Sequence, residues 1–191
     1  MSTVSGGKVD AAWRPSKDEI ASARGGTIPD IISPGLNVVF CGINPSLYSA
    51  AVGHHFARPG NRFWKALYQS GFTDRLLSPF EDGILPSFGL GLTNLVSRAT
   101  SGAEELTVEE LVAGASNLSR KVRSWEPKIL AVLGVGAYRT AFGEPGAGVG
   151  VQDKKLGNTR LWVLPNPSGL NAHYQLADIA ACLTELREAI P

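Results

Sequence analysis

The residues best suited to chemistry lie in two asparagine–proline turns. The first, Gly42-Ile43-Asn44-Pro45-Ser46, opens a run that carries Ser49, His54, His55, Phe56 and Arg58 as far as Gly60, then passes into Asn61-Arg62-Phe63-Trp64. The second reads Pro165-Asn166-Pro167-Ser168-Gly169-Leu170-Asn171, with His173 close behind. Each turn centres on a neutral amide, which has no useful proton affinity near neutrality. Such a group can orient a nucleophile or hydrogen-bond an anion but cannot serve as a general base. An isolated Asn-Pro turn as readily bonds its own backbone. No lysine precedes Lys65 in the first run, so a Schiff-base nucleophile is missing there. His54 and His55 are neighbours that point in different directions, with no cysteine or acid beside them, so no metal is expected. Neither G-x-G-x-x-G nor G-x-x-x-x-G-K follows the first apolar run, which counts against a dinucleotide or nucleoside triphosphate site.

The elements around these turns alternate in type. Asn37 to Cys41 is β-branched and aromatic and reads as a buried strand; Leu90 to Val96, with a possible edge role, Ile129 to Leu133 and Leu161 to Leu164 read as three more. Between them, Asn61 to Ser70 and the stretch from Thr107 to about Trp125 carry helical apolar spacing, the second behind a Thr-x-x-Glu capping box. Gly134 to Phe142 and Gln175 to Ile190 complete the helices, and Gly143 to Asn158 reads as a flexible glycine-rich loop. Strand–helix alternation implies a parallel sheet covered on both faces, with ligands at the carboxyl ends of the strands. Both Asn-Pro turns follow strand ends, so the topology puts them on one edge.

Composition sets wider bounds. A chain of 191 residues with 43% hydrophobic content supports one core. We expect residues 1–28 to be a flexible N-terminal arm with a short helix capped by Ser16, and 29–191 to be a single domain. No apolar stretch approaches a membrane span, no signal peptide opens the chain, and a cytoplasmic monomer is the expectation. Two cysteines, Cys41 and Cys182, exclude a four-thiolate cluster. The net charge of +1 names no partner, yet Ile31 to Thr73 and Lys154 to Ala177 contain no acid. If those stretches meet, they make a mildly positive face for phosphate, with Arg58, Arg62 and Lys154 as candidate contacts.

The two turns, with N-R-F-W and the G-L-T-N segment ending at Asn94, resemble the mismatch-specific uracil and thymine DNA glycosylases, across roughly Ile31 to Leu186. The resemblance implies a three-layer α/β/α sandwich around a short, mainly parallel sheet, no cofactor, and no metal. It implies a monofunctional enzyme that flips uracil, or thymine, mispaired with guanine out of double-stranded DNA and hydrolyses its bond to deoxyribose. Asn44 then positions water and Asn166 faces the departing base, where other branches carry a histidine. Gly42, Ile43, Ser46, Ser49, Phe56 and Asn94 form the base pocket, with Phe56 as stacking platform. Asn94 could equally cap a strand end. Ser168, Gly169, Leu170 and Asn171 form the wedge that fills the vacated stack, and Arg58 and Arg62 meet the backbone. Two departures stand out: Ser46 replaces a glycine, and Asn171 replaces an arginine. A damage-binding module without catalysis and a deaminated-purine glycosylase on the same fold stay open.

Overall fold

The computed structural model describes residues 14–191. Its strands are β1 (Val38–Gly42), β2 (Leu90–Asn94), β3 (Ile129–Leu133), β4 (Gly150–Leu156) and β5 (Thr159–Leu164), in the order β2-β1-β3-β5-β4. Every pairing is parallel except β4 with β5. Both β1 and β3 are buried along their whole length, as strands covered on two faces must be. Their alternate side chains divide the core. Val38 and Phe40 pack with Phe63, Leu67, Ile179 and Leu183 on one face. Val39 and Cys41 pack with Leu118, Val122 and Tyr138 on the other.

The helices are α1 (Lys17–Ser22), α2 (Leu47–Val52), α3 (Phe63–Gln69), α4 (Val108–Trp125), α5 (Val135–Phe142) and α6 (Leu176–Glu188). A 3₁₀ segment, Pro79–Phe88, and a 3₁₀ turn at Ala103–Glu105 complete them. α3 and α6 lie on the first face, α4 and α5 on the second, giving the sandwich with a mainly parallel sheet. The capping box forms as expected: Thr107 Oγ1 accepts from Glu110 N, and Glu110 Oε2 accepts from Thr107 N.

Three features differ from the sequence reading. The glycine-rich segment expected to be a loop contains β4, an exposed edge strand antiparallel to β5. The first Asn-Pro run contains α2, capped by Ser46. The described part of the expected arm is tied to the domain, since Gly25 N donates to Ala99 O, while the short helix expected behind Ser16 does form as α1, closed by a capping box of Ser16 and Glu19. Residues 1–13 of that arm lie outside the described residues. Among the described residues, no helix is long and apolar enough to cross a membrane.

Candidate functional site

The carboxyl ends of β1, β2, β3 and β5 open into a cleft of about 660 Å³. Gly42 to Ser46, Ser49, Phe56, Arg58, Asn94, Asn166, Ser168, Leu170 and Asn171 all line it, so both Asn-Pro turns meet there. Hydrogen bonds beyond the strand ends hold the first turn: Leu95 N donates to Gly42 O, Val96 N to Ile43 O, and Thr100 N to Pro45 O.

Asn44 is oriented by the 98–102 segment. Its Nδ2 donates to Arg98 O at 3.0 Å and to Thr100 Oγ1 at 2.7 Å. Because Thr100 Oγ1 spends its own proton on Gly102 O, at 2.8 Å, it can only accept from Asn44. Both amide protons are thus engaged, and Oδ1 is the end left for the cleft. Arg98 is itself braced, its guanidinium on the Glu110 carboxylate and on Glu105 O. That pairing holds Glu110 down at about 2, so it stays ionised through the neutral range.

The floor is a close approach of backbone and ring. A Cβ at Gly42 would lie 2.7 Å from Asn94 Oδ1 and 3.2 Å from the Phe56 ring, so no side chain fits between them. Phe56 has φ 54°, a left-handed backbone that bulky residues adopt only under constraint. The constraint comes from both sides: Asp82 accepts from His55 N at 3.1 Å and pairs with His54 Nδ1 at 3.0 Å, while Trp64 Nε1 donates to His55 O and Ser49 Oγ accepts from Ala57 N. Phe56 stacks on the fully buried Phe63, centroids 4.2 Å apart. One ring face is therefore backed by protein, the arrangement of a stacking platform.

His55 is buried, and its Nε2 faces Pro29 O at 2.9 Å. A carbonyl only accepts, so Nε2 carries the proton and Nδ1 offers its lone pair to Asn94 Nδ2, 3.5 Å away. Burial pulls the imidazole below the ordinary histidine range, against the opposing pull of Pro29 O and Asp82. Unfolded chains take up this proton as pH falls through about 6.5, whereas the folded ring resists it. His55 therefore contributes stability that is present above that pH and lost as pH drops toward the folded value. His55→Gln should cost about 1–3 kcal/mol near neutrality by leaving buried polar groups unpaired. Thermal melts from pH 8 to 5 should show the gap between wild type and variant narrowing below about pH 6.5; a constant gap would mean that the folded ring takes up its proton over the same pH range as the unfolded chain.

Ser46, in place of glycine, spends its hydroxyl on the helix: its Oγ accepts from Ser49 N and donates to Ser49 Oγ, both at 3.1 Å. In the second turn, Asn166 Oδ1 accepts from Ser168 N, which leaves Nδ2 as the side-chain donor on the cleft. Asn171 Nδ2 ties back to Asn166 O. Leu170 stands at the tip and is 74% exposed. Arg58 is exposed at the rim and forms no ion pair among the described residues.

Two of the candidate phosphate contacts sit elsewhere. The guanidinium of Arg62 is turned under the second loop onto Ser168 O, Asn171 O and Tyr174 O. Lys154 lies on β4, bonded to Phe142 O and paired with Glu144. The acid-free stretches do meet at the cleft, through Arg62 and the second loop, but Glu104 also lines it. Sequence reasoning missed Thr100, the Arg98 carbonyl and Asp82. They lie 27 to 56 residues from the groups they hold, and no local pattern marks them.

The model for the uracil DNA glycosylase superfamily matches residues 29–187. A solution NMR structure from Methanosarcina acetivorans, of a candidate uracil DNA glycosylase, superposes with a TM-score of 0.55 at 17% identity. The match covers 85% of this chain and 98% of that one, a likeness of fold.

Proposed function

The chain belongs to the uracil DNA glycosylase superfamily, which supports DNA glycosylase activity, and we propose that it is a monofunctional enzyme removing uracil mispaired with guanine from duplex DNA. The observation that carries this reading is Asn44, which lines the cleft and whose two amide protons are fixed on Arg98 O and Thr100 Oγ1, leaving its oxygen as the group free to act there. That oxygen accepts a hydrogen bond from water and aims it at C1′ of an extruded nucleotide lying on Phe56. The C1′–N1 bond lengthens first, and the base leaves with the bonding pair as an anion. Water then bonds to C1′ and gives its proton to solvent. Asn166 Nδ2, left without the turn bond that its Oδ1 makes, donates to the departing base. An amide donor stabilises that anion less than a cation would, so modest turnover is expected.

Preference for mismatches follows from the cost of extrusion, since a wobble pair surrenders its base more cheaply than a Watson–Crick pair. Leu170 suits the role of wedge: an apolar side chain this exposed costs solvation unless something covers it. The protein acts as a monomer and reads the site through Arg58 and the wedge loop.

The test is a panel of labelled duplexes carrying uracil opposite guanine, uracil opposite adenine, thymine opposite guanine, or hypoxanthine, with abasic product revealed by alkali. Uracil opposite guanine should be cut faster than uracil opposite adenine by about tenfold or more. Equal rates for the two would remove the mismatch preference, and fastest release of hypoxanthine would make the enzyme a deaminated-purine glycosylase.

A further inference from the structure

We propose that Arg62 is a positioning residue for the wedge: it sits beneath the 166–174 loop and holds Leu170 in its outward pose. This rests on the reading of the loop as a wedge given above. Four carbonyls of the loop converge on this one residue. The Arg62 backbone N donates to Pro167 O at 2.9 Å, and the guanidinium reaches Ser168 O, Tyr174 O and, at 2.8 Å, Asn171 O. Converging carbonyl dipoles repel one another unless a cation lies between them, and a planar fork with several donors suits three of them better than a point charge does. Among the described residues Arg62 Nε is enclosed without a partner, so the side chain lies under the loop instead of extending toward a phosphate.

Besides Arg62, the loop is seated by the buried Pro167 and by Tyr174, which packs against the core. It meets the first run at Gly60 and Gly169, where a Cβ on Gly169 would be 2.8 Å from Gly60 O. Within the loop, Leu170 N bonds Ser168 Oγ and Asn171 N bonds Ser168 O, which sets the turn but not its seat on the domain. Asn171 is occupied by Asn166 O and His173 N and adds no charge. Arg62 is the cation that joins α3 to this loop, so a loose loop should follow its removal, and Leu170 would then enter the duplex only after paying the ordering cost itself.

The experiment compares wild type, Arg62→Met, Arg62→Lys, Leu170→Ala and the Arg62→Met/Leu170→Ala double variant. Amide hydrogen exchange on the free protein should rise about tenfold or more across 166–174 in Arg62→Met, with β1 and β3 unchanged, and rise less in Arg62→Lys. On a uracil–guanine duplex, single-turnover excision by Arg62→Met should fall about tenfold or more. Because Arg62 acts through Leu170, the double variant should match Leu170→Ala within about twofold. The salt dependence of duplex binding should keep its slope. A slope lowered by about one, multiplying effects and unchanged exchange would overturn the proposal in favour of a direct phosphate contact. If Arg62→Met does not fold, Arg62→Lys decides by the same exchange and slope readings. Should wild type excise nothing, the glycosylase reading fails, while exchange and the binding slope still decide Arg62.

Discussion

Alanine in place of Asn44 should lower single-turnover excision of uracil by about 10²- to 10⁴-fold while leaving lesion binding within a few fold. The magnitude follows from what the side chain does. In the proposed reaction it neither removes a proton nor bonds to carbon but holds one water in line with C1′, and positioning of that kind is lost whole when the holder is truncated. Thr100→Val should give a smaller loss, about tenfold, because one of two anchors on Nδ2 remains and the amide can rock about Arg98 O. An Asn44→Ala variant as active as wild type would mean that water arrives without help from this residue.

Removal of the Phe56 ring should have the next largest effect. Stacking of a base on an aromatic side chain is worth about 1–3 kcal/mol, so Phe56→Ala should reduce kcat/KM by about 5- to 150-fold. The ring is only half-buried, yet it rests on Phe63 and its backbone is held at φ 54° by the anchors at Asp82, Trp64 and Ser49. Part of any loss could therefore come from a loosened turn. Phe56→Leu separates the two causes, since it keeps apolar bulk and gives up the π face. Matching kinetic losses in both variants, with the melting temperature held in Phe56→Leu, would assign the effect to stacking. Full activity in Phe56→Leu would assign the ring to packing alone.

The parts of this site that a local pattern can carry were legible in the chain, and those that depend on distant partners were not. β1, β3 and β5 announce themselves because buried parallel strands must be continuously apolar. β4 does not, because Gly150 to Leu156 is an edge strand with mostly exposed polar side chains, and only its pairing with β5 makes it a strand. α2 is six residues behind an Asn-Pro turn, too short to show a period. The Pro79–Phe88 segment contains Pro86 and follows no helical spacing, yet it delivers Asp82 to the turn before Phe56. In the site itself, the motifs placed Asn44, Phe56, Asn166 and Leu170 on one cleft. They could not reveal that Thr100 fixes the Asn44 amide. The sequence suggests a phosphate contact for Arg62 because cations near a DNA site usually serve that purpose; its capture by four carbonyls depends on the path of a loop about a hundred residues away.

The most direct test of catalysis at this cleft is the appearance of abasic sites in a uracil–guanine duplex incubated with wild type or with Asn44→Ala under single-turnover conditions. Abasic product from wild type, reduced by orders of magnitude in the variant with lesion binding retained, is the expected result. Lesion binding by wild type with no abasic product would contradict it and leave a protein that recognises damage without removing it.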